Sequence, residues 1–157
     1  MTAIDAPAQL DKETENFLLD VNILVALISA NHSHHRSAHN WFANVKTWSM
    51  TPLTEVALIR LSLNPEVVGE QLSPSVVLHT VSLLKKQSGF AFIKDDSSLT
   101  DSIYPEDQFF GYRQVTDFHL INLAAKSGCK FATFDIKLKS AVPPSVKKVI
   151  EVVPVLS

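Results

Sequence analysis

The sequence predicts an α/β protein of three layers, with a central parallel sheet of about four to five strands and helices on both faces. Three observations lead there. Short apolar runs alternate with amphipathic segments along the chain, and parallel strands need such crossover segments between them. The 157 residues are 46% hydrophobic and 19% charged, which suits one buried core and argues against a largely disordered chain. Proline, threonine and glycine fall where helices start and stop, at Pro52, Pro74, Thr116, Gly89 and Gly128.

The elements follow in order. Residues 1–15 are polar and read as a flexible lead, leaving 16–157 as one domain. The run NFLLDVN is a buried strand ending at Asp20, and ILVALISA continues as a helix. SHHRSAHNWFANV is a second helix, with Ala38, Trp41, Phe42 and Val45 on one stripe. KTWSMT is a strand. Pro52 opens a helix through PLTEVALIRLSL that stops near Asn64-Pro65, and Pro74 opens another through PSVVLHTVSLLKKQ that closes at Gly89. FAFIKDD is a strand, and SSLTDSIYPEDQFFGYRQ is irregular, with a short helix and a loop. Thr116 caps the helix TDFHLINLAAKSG, with Gly128 as its stop. KFATFD and VKKVIEVV are the last strands.

Charge and cysteine usage bound the function. Net charge is −2 with a pI near 6.3, so bulk charge announces no nucleic acid, and any phosphate partner needs a basic patch or bound cations. Cys129 is the single cysteine. It cannot form an intrachain disulfide and reads as a buried structural thiol. The N-terminus lacks the basic start and apolar run of a signal peptide, and no apolar stretch reaches membrane-spanning length. The expected location is a reducing cytoplasm.

The carboxylates carry the chemistry. Asp20 and Asp135 end strands, while Glu55 and Asp117 lie in the first turns of the helices after KTWSMT and Gln114-Val115. Strand ends and the helix starts after them share one edge of a parallel sheet, where ligands gather. Four acids in one cleft repel each other, and a divalent cation relieves that repulsion. Magnesium and manganese prefer oxygen ligands and can activate a water toward phosphorus. Each acid alone is explained as well by a helix dipole or a cap; the set of four at one edge is not. Asp95, Asp96, Asp101, Glu106 and Asp107 read as solvated loop charge.

The ordered blocks LLDVNILVAL, HHRSAHNWF, PLTEVALIRLSLNP, QVTDFHLINLAAKSG and FATFD resemble a PIN domain, and more narrowly the VapC-type toxins of bacterial toxin–antitoxin pairs. The resemblance spans roughly residues 17–150 and implies a PIN-like α/β/α fold. It implies a magnesium- or manganese-dependent endoribonuclease whose acids map to Asp20, Glu55, Asp117 and Asp135. Asp20 and Asp117 map as metal ligands, with Glu55 and Asp135 acting directly or through water. Asn22 matches the D-x-N of the first block, Thr133 the hydroxyl residue two positions before the last acid, and Thr116 the residue before the third. It also implies an RNA substrate, a homodimer and a cognate antitoxin that blocks the site.

Other residues are weighed against plainer roles. Arg113, four before Asp117, is a candidate substrate or antitoxin contact, or an ordinary surface arginine. Arg60 reads as a phosphate contact or, slightly favoured, a structural ion-pair partner. Lys137 and Lys139 fit phosphate contact or a solvated face equally, while Lys147 and Lys148 read as surface charge. Trp41 and Phe42 belong to the core, and an exposed Phe109-Phe110 would mark a dimer or antitoxin surface. Four histidines crowd into NHSHHRSAHNWF. On a helix, His34 and His35 flank the apolar stripe and His32 and His39 turn outward. Only His35 and His39 have metal-ligand spacing, with no third ligand near, so the cluster reads as core border. The competing function is a non-catalytic PIN-like module that holds RNA or protein. A phosphatase reading lacks its D-x-D, since Asp20-Val21-Asn22 stands there, and no glycine-rich phosphate loop exists.

Overall fold

Every strand of the sheet runs parallel, in the order β3-β2-β1-β4-β5. The computed structural model describes residues 15–105 and 111–157. The strands are β1 (Asn16–Leu19), β2 (Thr47–Met50), β3 (Phe90–Phe92), β4 (Lys130–Thr133) and β5 (Ile150–Val152). The helices are α1 (Val21–Ile28), α2 (His35–Phe42), α3 (Pro52–Ser62), α4 (Pro65–Val68), α5 (Pro74–Lys85), α6 (Val115–Lys126), α7 (Ile136–Ala141) and α8 (Pro144–Lys147). The parallel α/β/α expectation therefore holds, with five strands. Asp107, Glu106 and the Phe109-Phe110 pair lie outside the described residues, as do residues 1–14 of the expected lead.

Alternation along the strands splits the core in two. Phe17, Leu19, Trp48, Met50 and Ala132 point to one face, under α1, α2, α3 and α5. Leu18, Phe131 and Ile150 point to the other, under α6, α7 and α8. Each such fully buried side chain contributes roughly 1.5–3 kcal/mol of transfer free energy. Trp48 is buried, and its indole N–H donates to Ser88 O at 3.2 Å. Trp41 and Phe42 pack edge-on against Phe17 and Trp48, at 5.1 and 5.3 Å between ring centres, so their core assignment holds. Cys129 is half-buried beside the α6 face, and burial pushes its thiol pKa up.

Several local expectations change. The histidine-rich helix begins only at His35, after a run of turns over 30–34. Pro65 does not simply stop a helix. It opens the single turn α4, with Asn64 Oδ1 accepting from Glu66 N at 3.0 Å. α7 and α8 were not foreseen, because IKLKSA and PSVK are too short for a periodic signal. α6 starts at Val115 with Gln114 at its cap position, so Thr116 lies exposed inside the first turn and caps nothing. The irregular stretch before it is anchored by buried Asn122, whose Oδ1 accepts from Ile103 N and whose Nδ2 donates to Ser98 O. Among the described residues Arg60 forms no ion pair, against expectation. Asp95 is not merely solvated: it bonds His119 Nε2 at 2.5 Å, and Asp101 meets Lys126 at 3.5 Å.

Candidate active site

Strand order fixes where a site can form. The chain builds β1, β2 and β3 outward in one direction, then crosses back to add β4 and β5 on the other side of β1. The direction reverses between β1 and β4, and the crevice above their carboxyl ends is the natural ligand position in such a sheet. Leu19 is paired with Ala132, so the next residues, Asp20 and Thr133, face each other across that crevice. Both side chains fall on the α6 face by alternation, and α6 brings Asp117 in its first turn.

Asp20 is 7% exposed and stands at the cap position of α1. Thr133 Oγ1 donates to Asp20 Oδ2 at 2.7 Å and accepts from Asp135 N at 3.1 Å. The fully buried hydroxyl thus ties the two acids together. Asp135 in turn caps α7, its Oδ1 accepting from Lys137 N and Leu138 N at 2.9 and 3.0 Å. Burial raises the pKa of Asp20, opposed by the Thr133 bond and backbone N–H groups, and the charge of Asp135 raises it further. Asp117 is pushed up to about 6, first by burial and then by the charges of Asp20 and Asp135. Asp117 therefore senses the charges of both Asp20 and Asp135, and Asp20 senses that of Asp135.

Glu55 stands apart from them. Its Oε2 is held by Lys85 Nζ at 2.6 Å, and the ammonium also lies 4.8 Å from the Phe92 ring centre. The helix start placed Glu55 at the right edge, but the lysine on α5 gives its carboxylate a different partner. Arg113 is exposed beside Tyr112, donating from Nε to the phenol oxygen at 3.3 Å and lying over its ring. Asn22 is exposed on the first turn of α1 and lines an open pocket with Asp135 and Phe134.

The histidine block divides. His35 Nδ1 lies 2.7 Å from Ala26 O and His39 Nε2 2.8 Å from Leu27 O, so both rings satisfy carbonyls at the end of α1. His39 thus does not simply turn to solvent. His32 and His34 sit before the helix and line the same pocket as Asn22 and Asp135. His32 Nδ1 accepts from His34 N at 3.0 Å, and burial lowers the His32 pKa. The sequence reading missed this placement because it extended the helix over residues that form turns.

Among the described residues, no three His, Cys, Asp or Glu side chains close on one point tightly enough to hold an ion by themselves. The donor set still fits a hard cation. Asp20 and Asp117, raised by burial and by neighbouring carboxylate charge, gain from a neutralising ion, and magnesium is commonly held by one or two carboxylates plus waters.

A parallel sheet of this order, with acids gathered at its switch point, defines a PIN-like α/β domain. Curated relatives carry the assignment further. The chain is 37% identical to Ribonuclease VapC38 of Mycobacterium tuberculosis over 141 residues, which are 88% of this chain and 99% of the relative. It is 35% identical to Ribonuclease VapC39 of the same organism over 136 residues, 85% of this chain and 98% of that one. The chain belongs to the VapC ribonuclease family. A solved structure, VapBC2 from Rickettsia felis bound to a promoter DNA fragment, shares the fold with a TM-score of 0.54 at 14% identity, over 80% of this chain and 92% of that one. No family model matches the chain. Among the described residues no helix is long and apolar enough to cross a membrane.

Proposed function

We propose that the chain is a magnesium- or manganese-dependent endoribonuclease toxin, restrained by a cognate antitoxin and acting as a homodimer in the cytoplasm. The observation that carries the reading is the hydrogen-bonded set Asp20–Thr133–Asp135, joined electrostatically by Asp117 at the switch point. The VapC relatives are ribonucleases by name, and the VapBC2 structure is of a two-component VapBC assembly by name.

Asp20 and Asp117 would hold the cation, with Asp135 and Glu55 supporting it directly or through water. When bound, the cation supplies Lewis acidity toward the phosphodiester and toward an attacking water. The Thr133 bond would hold the Asp20 carboxylate in one orientation for the ion. Asp117, raised by burial and by the charges of Asp20 and Asp135, would gain from the ion's positive charge, which keeps its carboxylate deprotonated. Asn22 borders the acids and orients substrate or water. Thr116, exposed and capping nothing, has at most a supporting role, and Arg113 is free to meet RNA or the antitoxin from the rim.

The test is cleavage of total cellular RNA by purified protein with Mg2+, Mn2+ or EDTA. Metal-dependent cutting that disappears in Asp20→Asn and Asp117→Asn, with both variants folded, supports the reading. Undiminished cutting in both variants contradicts it. Growth arrest on expression, relieved by a small protein encoded beside this chain, tests the toxin assignment.

A further inference from the structure

Beside the acids, on the same carboxyl edge and sharing Asp135 with them, lies an aromatic and polar pocket. It is lined by Asn22, His32, Ser33, His34, Phe134 and Asp135 and has a volume of about 420 Å3, within the roughly 300–1,000 Å3 of ligand pockets. Three rings run along it. His32 and His34 have centres 5.8 Å apart, and His34 leans on Phe134 at 4.9 Å with 49° between planes. Phe134 lies in sequence between Thr133, which bonds Asp20, and Asp135. The backbone that sets the acids therefore sets this aromatic floor beside them.

We propose that this pocket receives the base and ribose of the RNA nucleotide next to the cleaved phosphate, with His34 and Phe134 as the stacking floor and His32 and Asn22 as polar contacts. The proposal rests on the ribonuclease reading above and adds a substrate subsite to it. The Asp135 carboxylate on the rim disfavours a phosphate in the pocket and leaves the uncharged parts of the nucleotide as its occupant. Single-stranded RNA is gripped by bases splayed onto aromatic side chains, while in a chain of net charge −2 bound cations meet the phosphates. Stacking is tolerant of base identity, so the pocket contributes affinity and register more than sequence choice. His35 and His39 take no part, because their ring nitrogens serve α1 carbonyls.

The experiment measures binding of a fluorescein-labelled, random-sequence single-stranded RNA by anisotropy, with Mg2+ present and Asp117→Asn as the non-cutting parent. In that parent, His34→Ala removes the floor ring. His32→Asn keeps an acceptor for His34 N and removes the outer ring nitrogen. Each is expected to weaken binding about five- to thirty-fold, with circular dichroism and melting unchanged. His34→Phe keeps a ring on Phe134 and retains most of the affinity, while His39→Ala lowers the melting temperature and leaves affinity within about twofold. Parent-like binding by His34→Ala and His32→Asn overturns the proposal, as does His34→Phe binding as weakly as His34→Ala. Cleavage of total RNA by the wild-type chain is run alongside. Cutting with parent-like variant binding removes the pocket assignment alone; neither cutting nor binding removes the ribonuclease reading with it.

Discussion

The side chain that organises the acidic edge is Thr133, and it has no charge. Its hydroxyl both donates to Asp20 and accepts from Asp135 N, so its removal takes a partner from a buried carboxylate and from a part-buried N–H while keeping every carboxylate. Thr133→Val preserves shape and deletes only the bonds. It is expected to lower Mn2+ affinity and RNA cleavage by about 10–100-fold, the usual effect of losing a group that orients a metal ligand. Stability should fall by about 1–3 kcal/mol. Calorimetric Mn2+ titration and urea unfolding check both, and wild-type metal affinity would remove the orienting role. At this scale the sequence told a good deal. Asp20, Thr133 and Asp135 could be placed because residues at strand ends have predictable neighbours. The fate of Glu55 could not, because its partner lies thirty positions away on α5 and a lysine side chain reaches too far for spacing to reveal it.

Elements are held in place by a few close approaches. Gly89 sits between α5 and β3 at φ +80°, and its carbonyl accepts from Trp48 N at 2.9 Å. A Cβ there would lie 1.8 Å from Lys46 O. Gly89→Ala must therefore push β2 and β3 apart, on top of an unfavourable left-handed backbone. A loss of more than about 3 kcal/mol is expected, read as an earlier denaturant midpoint; a near-wild-type midpoint would mean the turn relaxes freely. Lys85 is the second such tie, joining α5 to Glu55 on α3 and lying over Phe92. Lys85→Met keeps the aliphatic packing and frees the carboxylate. The ion pair is partly exposed, so stability should change by no more than about 1 kcal/mol. Mn2+ affinity should rise severalfold as Glu55 becomes available to the acids, and unchanged affinity would place Glu55 outside the metal's reach. The helices with long amphipathic runs were legible from sequence. The one-turn helices α4 and α8 and the turns around His32 and His34 were not, since their order comes from caps and tertiary contacts.

For the whole molecule, the parallel architecture follows from alternating strands and helices, and the strand order then forces Asp20 and Thr133 into one crevice. Concentrating acids there puts a pH dependence into the fold. Asp117 in the folded chain titrates at about 6, above its ordinary value of 3.8, and burial raises Asp20 as well. A carboxyl whose folded pKa is raised binds its proton more tightly when folded. The stability it contributes is present below the unfolded pKa and is lost as pH rises through the folded one. His32, lowered by burial, acts in the opposite sense, since its stabilisation is lost as pH falls through the folded pKa. Two acids outweigh one partly exposed imidazole. The metal-free protein is therefore expected to melt at a higher temperature near pH 5 than near pH 7.5, the reverse of a chain whose acids sit in salt bridges. Mg2+ binds the deprotonated carboxylates, so it should raise the melting temperature strongly near pH 7.5 and weakly near pH 5. Thermal melts with EDTA or Mg2+ at both pH values measure all four conditions. A metal-free melting temperature that rises from about pH 5 to 7.5 would show that burial and neighbouring charge do not raise these carboxyls in the folded chain, and the electrostatic case for a cation at Asp20 and Asp117 would fall with it.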